Sequence, residues 1–481
     1  MAPRTFRPYD PVTPVPGPGD LRDWLPADHA VFLLSALVDE LDLSAITEAY
    51  HRGDGGGNPP YHPVLLTKLL LYAYMHGVVS SRRIAAKTYE DVAVRVLAAD
   101  QHPDFRTISD FRERHLAALA ALFPQVVRLA QRLGLVRLEQ VAQDGTKVLA
   151  NASKHKAMSY ERLGPAEARL AQELEVLLEA ARRVDAEEDV RYGRDRTGDE
   201  VPADLSGEAG RRERRLATIR AAKAALEAEA HAEAEAVLAA DAAERQRRAA
   251  AGEPKKPGRP PDPPKPAAQR NFTDPDSRIM KNADGAFVQA YNGQLAVDAS
   301  PHQIVVGCAL TNQAADAPHL APMVERVRAT VGALPEAWTA DTGYFSAANV
   351  SSVDAAGSTP YIPPSRDAHP PPRVPPPVEA ILAAAGIGSP PPVAPEEGEA
   401  AAAMRARLAT EAGRTTYARR KSTVEPVVGQ IKDGRGLRRF LLRGLAKVAA
   451  ERTLWCLGHN LGKIVQTVRA DPGLGSRPAL R

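Results

Sequence analysis

The chain has 481 residues and a formal net charge of +3, with 44% hydrophobic, 25% charged and only 5% aromatic residues. That balance suits a soluble globular protein of two or three folded units. Two cysteines, Cys308 and Cys456, exclude a disulfide framework or a Cys-based zinc site, and the longest apolar stretch, Val64 to Val79, is interrupted by Lys68 and His76 and too short to span a bilayer.

The opening Met-Ala-Pro-Arg-Thr-Phe-Arg-Pro has no apolar core of a signal peptide, and two cysteines fit a reducing cytosol. A cytoplasmic protein with no membrane partner is therefore expected, its first 20 residues a flexible N-terminus. Residues 21–134 read as short helices. Pro63 sits where a helix can begin, and Leu65, Leu66, Leu69, Leu70, Tyr72 and Ala73 follow with helical recurrence. Ser80-Ser81-Arg82-Arg83-Ile84 opens another helix with a hydroxyl cap, and Thr107-Ile108-Ser109-Asp110-Phe111-Arg112 starts a third, continuing through Leu119 and Val126. Arg82, Arg83, Arg106 and Arg112 among these helices permit a helix-turn-helix-like DNA reader, and equally an ordinary helical bundle.

At Val136 the pattern changes to period two, and Val141 to Val148 reads as a strand ending in a polar turn. Residues 161–252 then carry two heptad-like runs. Leu170, Leu174, Leu177, Ala181 and Val184 form the first; Leu216, Ile219, Leu226, Ala230, Ala234 and Val237 form the second. With a polar stretch between them, an antiparallel helical hairpin is the simplest architecture. Residues 253–269 are a proline-rich linker. Phe287 to Asp298 and Gln303 to Thr311 alternate as the two strands of a hairpin around Ala299-Ser300-Pro301. Leu320, Val324, Val327 and Val331 mark a helix face, and Ala337 to Asp341 a short strand. A second proline-dense insertion covers 361–400. A helical region opens near Thr415 and runs, with glycine interruptions, to about Ala470, before a tail at 471–481.

The last 81 residues hold 17 Lys/Arg against five Asp/Glu, whereas the rest of the chain holds 45 against 54. A basic region on an acidic chain suggests a polyanionic partner, with nucleic acid the first candidate, or else a solvated basic tail. Asp144 and Asp341 each stand at the predicted C-terminal end of a strand, where ligands collect in α/β sheets. Glu425 lies on a predicted helix with Tyr417, Lys421 and Lys432 on its face. Three convergent carboxylates suit Mg²⁺ or Mn²⁺, and a pair of such ions can hold both oxygens of an in-line phosphodiester displacement. Lys421 and Lys432 would then meet DNA phosphates. Beyond Glu425, Arg435, Arg439 and Arg443 recur at steps of four, with Arg438 beside them. On a continuous helix they would form a ridge toward the DNA backbone.

These stretches resemble the bacterial DDE insertion-sequence transposases of the RNase H-like class. The resemblance rests on Tyr61-His62-Pro63 through Tyr74, on the two N-terminal helix starts, and on Gln143-Asp144-Gly145-Thr146-Lys147. It rests further on Ala340-Asp341-Thr342-Gly343-Tyr344 and on Tyr417 through Lys432. It implies an α/β, RNase H-like catalytic core at 135–160 and 270–470, with an all-α N-terminal domain and an inserted antiparallel helical hairpin. It also implies Asp144, Asp341 and Glu425 as catalytic and metal-binding residues, holding two Mg²⁺ or Mn²⁺ ions, and cleavage at transposon ends with joining of the freed 3′-OH. The implied partners are terminal repeats, target duplex and further copies of the chain, in a nucleoid-associated setting without a nucleotide cofactor. DNA contacts are expected from Lys147, Tyr417, Arg420, Lys421, Lys432, Arg435, Arg439 and Arg443. The family's signature is Tyr, two residues, Arg, three residues, Glu, six residues, Lys. Here Tyr417 to Glu425 is one residue longer, so Arg420 or Lys421 fills the arginine role, and helical geometry favours Lys421. The rivals are a related nuclease without strand transfer and a domesticated, non-catalytic DNA-binding protein.

Overall fold

The structure is a computed structural model that describes Pro8, Asp10 and residues 20–51, 59–192, 203–250, 264–282, 284–365 and 398–475. Nearly all of the expected N-terminal segment, most of both proline-rich stretches, residues 193–202 of the polar stretch inside the helical insertion and the last part of the tail lie outside the described residues. In chain order the larger elements are helices α1 (Ala30–Asp39), α2 (Ser44–His51), α3 (Pro63–Met75), α4 (Ser81–Glu90), α5 (Val92–Leu97), α6 (Phe105–Arg114), α7 (Leu116–Ala120) and α8 (Phe123–Arg132). Strand β1 (Gln140–Leu149) follows, then β2 (Ala157–Ser159), α9 (Tyr160–Tyr192), α10 (Ala203–Ala250), β3 (Gln269–Asn271), β4 (Arg278–Lys281), β5 (Phe287–Asp298) and β6 (Val305–Thr311). Next come α11 (Leu320–Val331), β7 (Ala337–Thr339), α12 (Ala347–Ala355) and β8 (Thr359–Tyr361). Three further helices span Glu399–Ala409, Glu411–Gly429 and Leu445–Ala470. The chain divides into two compact units: one holds 1–148, 292–442 and 446–481, the other 149–291 and 443–445. Among the described residues no helix is long and apolar enough to cross a membrane.

In the first unit α3 begins at Pro63, whose missing N–H and fixed φ suit a first helical position, and His62 caps it by accepting from Val64 N. Twelve of its 13 residues are buried, so other helices cover it all round. Even Lys68 is 1% exposed, its ammonium on Asp39 and Ser35 of α1. The C-terminal helix approaches α3 through Gly458, where a Cβ would meet the Tyr74 and Met75 backbone at 2.9–3.0 Å. The helix predicted to run from Thr107 through Val126 is three. It starts earlier, with Asp104 accepting from Arg106 N and Thr107 N, and breaks at His115 and again at Ala121–Leu122.

The sheet of this unit is mixed. β5 and β6 form the expected antiparallel hairpin, with a register shift at Ala296/Val297. Ala299 N donates to Gln140 O at the start of β1, which sets β5 antiparallel to β1. β1 runs parallel to β7, and β7 parallel to β8. The order is therefore β6-β5-β1-β7-β8. α12 connects the parallel neighbours β7 and β8, the crossover such a pair requires, and α11 carries the chain from β6 to β7.

The second unit carries the insertion. α9 and α10 pack antiparallel: Tyr160 bonds Glu227, Glu167 pairs with Arg220 and Lys223, and Glu173 pairs with Arg212. Leu163, Ile219, Ala222 and Leu226 form a small core at the base of this pair, where Met158, Ala268 and Phe272 close over it. The short β2–β3 ladder supplies Met158, and Ala268 and Phe272 flank β3 on either side. In the same unit β4 pairs antiparallel with the first residues of β5.

Candidate active site

Asp144 stands in the middle of β1, not at its end as the sequence suggests. The strand runs on through Gly145, Thr146 and Lys147 to Leu149. The reason lies in the polar side chains after Asp144. Lys432 donates to Thr146 Oγ1 and to the Lys147 carbonyl, both at 2.7 Å, and so holds the extended backbone where a turn was expected. Asp341 does sit just beyond the end of β7, and its Oδ1 accepts from Gly343 N at 2.9 Å. Because β1 and β7 are parallel, with Ala142 opposite Thr339, the two aspartates emerge at neighbouring places of the sheet.

The third acid comes from the helix Glu411–Gly429. Thr410 caps it by accepting from Gly413 N, and Gly413, Arg420, Thr423, Val424 and Val427 form its buried stripe. Pro426 lies inside the helix and lacks the N–H that Ser422 O would receive. Gln303 Nε2 supplies that bond at 3.0 Å. Residues 430–434 then form a π-helical turn, which ends the regular helix and brings Lys432 onto β1.

Arg420 belongs to the buried stripe, and its Nη1 lies 3.0 Å from Asp144 Oδ2 and its Nη2 3.9 Å from Glu425 Oε1. Tyr417, one turn earlier, has its ring 5.9 Å from the same guanidinium. Lys421 is exposed. The preference for Lys421 is therefore corrected. The helix turns Arg420, three residues after Tyr417 and four before Val424, onto its buried stripe, and Lys421 falls outside it. Glu425 remains 55% exposed. Burial pushes the Asp144 carboxyl up to about 6, against the pull of Arg420 and with the charge of Asp341 adding to the rise. Burial and the charges of Asp316, Asp144 and Asp341 raise the Tyr344 phenol well above its ordinary value.

Lys147 reaches the Ala314 carbonyl at 2.8 Å and Asp316 Oδ1 at 3.3 Å, so its ammonium is engaged within the site. The arginine ridge is absent. Past Gly434 the chain is irregular up to Leu445, Gly436 has φ +68°, and Arg435 turns inward to Met75 O, 2.9 Å from its Nε. Arg438 pairs with Asp433 at 2.7 Å, Arg439 is exposed, and Arg443 donates to Asn151 O. In the N-terminal helices Arg82 and Arg106 flank the Phe105 ring at 3.9 and 5.7 Å, and Arg83 is exposed. Arg112 is 7% exposed and donates to Val79 O at 2.6 Å, so it ties α6 to the loop between α3 and α4 rather than offering a surface contact.

Asp316, just after β6, and Asn292 and Gln294 of β5 meet beside the two aspartates, and sequence reasoning did not single out the two amides. Both amides donate to Asp316 Oδ1, at 2.7 and 2.8 Å. Both lie in the stretch of β5 from Gln289 to Asp298, every residue of which is buried.

A carboxylate centre on a mixed sheet, neutralised from within by a helix-borne arginine, is thus what the fold assembles. Residues 19–114 match the family model described as a transposase domain (DUF772), and residues 392–465 match the one described as a transposase DDE domain. Together the two matches support an insertion-sequence DDE transposase. Arg420, Glu425 and Lys432 fall within the second match, Arg82, Arg83, Arg106 and Arg112 within the first. Comparison with curated proteins and with solved structures gives no match.

Proposed function

We propose that the chain is a DNA transposase that cleaves at the ends of its insertion sequence and joins the freed 3′-OH to target DNA, with Asp144, Asp341 and Glu425 as its catalytic acids. The observation that carries this reading is Arg420 bridging toward Asp144 and Glu425, which draws residues 276 positions apart to one place. The strand order and the antiparallel and parallel pairings support an RNase H-like core. This reading assigns the helices of 21–134 to DNA binding, residues 135–160 and 270–470 to the core, and residues 161–252 to an inserted hairpin.

The donor set fits Mg²⁺ or Mn²⁺. It offers carboxylate oxygens without thiol or imidazole. Among the described residues no three acids, histidines or cysteines form a ready-made ion site, and Glu425 is exposed on its helix. Two bound ions would supply the positive charge that stabilises the exchanged oxygens of an in-line displacement. The protein's own part is to hold Asp144 charged through Arg420, to set the β1 backbone through Lys432, and to present Lys421 to DNA phosphates. Terminal repeats, target duplex and a second copy of the chain are the partners this reading requires.

Labelled end DNA and a supercoiled plasmid, with Mg²⁺ or Mn²⁺, test it. Joined product supports the transposase, cut product alone the nuclease, and binding alone the non-catalytic protein. Asp144→Asn, Asp341→Asn and Glu425→Gln should each abolish cleavage while end binding persists. Near wild-type strand transfer by any one of them would remove that acid from the site.

A further inference from the structure

Asp316 lies in a short 3₁₀-flanked segment after β6, outside the three acids, yet three donors converge on one of its oxygens. Lys147 Nζ, Asn292 Nδ2 and Gln294 Nε2 all reach Oδ1, at 3.3, 2.7 and 2.8 Å. Asn292 and Gln294 are wholly buried, so these bonds are shielded from water and fix the carboxylate's orientation. The same Gln294 is tied to both aspartates' neighbourhoods. Its Oε1 accepts from the Tyr344 hydroxyl, three residues after Asp341, and from Gln143 Nε2, the residue before Asp144, at 3.4 Å. Gln143 in turn accepts from Trp338 Nε1 of β7 at 3.2 Å.

Gly145, next to Asp144, leaves room for this carboxylate, and Gly343 lies near it. A Cβ on Gly145 would overlap Asp316 Oδ1 and lie 2.7 Å from Gln294 Nε2, and one on Gly343 would lie 3.8 Å from Asp316 Oδ2. Neither glycine has a positive φ, so conformational freedom is not what requires a glycine after Asp144. Close approach of Asp316 is.

We propose that Asp316, clamped through Gln294 and Asn292, is a positioning residue that wedges between the chain after Asp144 and the turn after Asp341 and fixes the separation of the two acids. The inference rests on the reading of Asp144 and Asp341 as metal-binding acids. A residue of this kind acts on ion affinity through the ligands it orients, commonly by 10- to 100-fold.

The experiment measures Mn²⁺ binding by calorimetry on the full chain without DNA, alongside thermal melting and end cleavage. Asp316→Asn keeps the shape but removes the charge that gathers the three donors. It should weaken Mn²⁺ roughly 10-fold or more and slow cleavage, with little change in melting. Lys147→Met, at a partly exposed donor, should give a weaker effect in the same direction and serves if the first variant does not fold. Wild-type Mn²⁺ affinity in a folded Asp316→Asn protein, or in folded Lys147→Met where Asp316→Asn does not fold, overturns the inference. Asp144→Asn and Asp341→Asn are measured in parallel. If they too bind Mn²⁺ as the wild type does, the underlying reading of the acids has failed; if only they lose it, the role of Asp316 alone has failed.

Discussion

Arg420 donates to Asp144 across 3.0 Å, from a helix to a strand 276 residues earlier in the chain. Both side chains are largely buried, 8% and 22% exposed. Removing one partner of a buried pair leaves the other charge uncompensated, which costs about 3 kcal/mol in comparable sites. Arg420→Ala should therefore lower stability on that order in denaturant titrations. Lys421→Ala, on the exposed side of the same helix, should stay within about 0.5 kcal/mol. Equal effects of the two variants would undo the assignment of Arg420.

Several of the elements that carry the candidate residues were legible in the sequence, and the failures have physical causes. The strand pattern from Phe287 to Asp298 matches β5 residue for residue, because alternation on a hairpin is a local property. Asp144 was misplaced at a strand end because Gly145 and Thr146 look like a turn. Only a distant lysine, Lys432, keeps them extended. The arginine ridge failed for a related reason. Steps of four mean a helical face only while the helix lasts, and the π-helical turn at 430–434 together with Gly436 ends it. Lys421 was preferred on spacing alone, whereas burial of the stripe through Arg420 and Val424 decides which cation faces Asp144.

His459 gives a pH-dependent term in stability. Burial, helped by the charges of Arg435, Lys463 and Arg452, lowers it to about 3 from an ordinary 6.5, although its bond to Gln303 O opposes the fall. A depressed histidine is neutral when folded, so the unfolded chain takes up the proton first. The stabilisation is whole above about pH 6.5 and is lost as pH falls toward 3, by up to about 4 kcal/mol. His459→Gln, where it folds, should flatten the acid limb of a stability-against-pH curve. An unchanged limb would show that other groups set it.

Gly77 closes α3 with φ +72°, and a Cβ there would overlap the Arg435 carbonyl and lie 2.9 Å from the Arg435 Cα. Both strain and collision then act at once, and neither neighbour is a flexible side-chain end. Gly77→Ala should cost more than about 1 kcal/mol, read as a fall in melting temperature. No change would mean that the segment around Arg435 yields freely.

The helical insertion should tolerate trimming at its far end better than removal. Its core of Leu163, Ile219, Ala222 and Leu226 sits at the base, against Met158 and Phe272. Replacing residues 176–207 with a short Gly/Ser loop keeps that core and the Glu167–Arg220 and Glu173–Arg212 pairs. Replacing 161–266 strips the cover from Met158 and Phe272, so limited proteolysis should cut the second variant faster. Equal protection would show that the strands of this unit stand without the hairpin.

The basic segment after the active-site helix separates folding from DNA contact. Arg435 is held by Met75 O and Gln430 O and faces His459, so it is spent inside the protein. Arg439 is exposed, whereas Arg438 is occupied by Asp433. Arg435→Gln should lower melting temperature and leave the salt dependence of DNA binding unchanged. Arg439→Gln should leave melting unchanged and, if Arg439 grips a phosphate, flatten the log–log salt slope by roughly 0.9. Binding isotherms on random duplex at several salt concentrations read both. A flattened slope for Arg435→Gln with normal melting would return that arginine to the DNA surface, because loss of its two bonds to backbone carbonyls should otherwise register in the melting temperature.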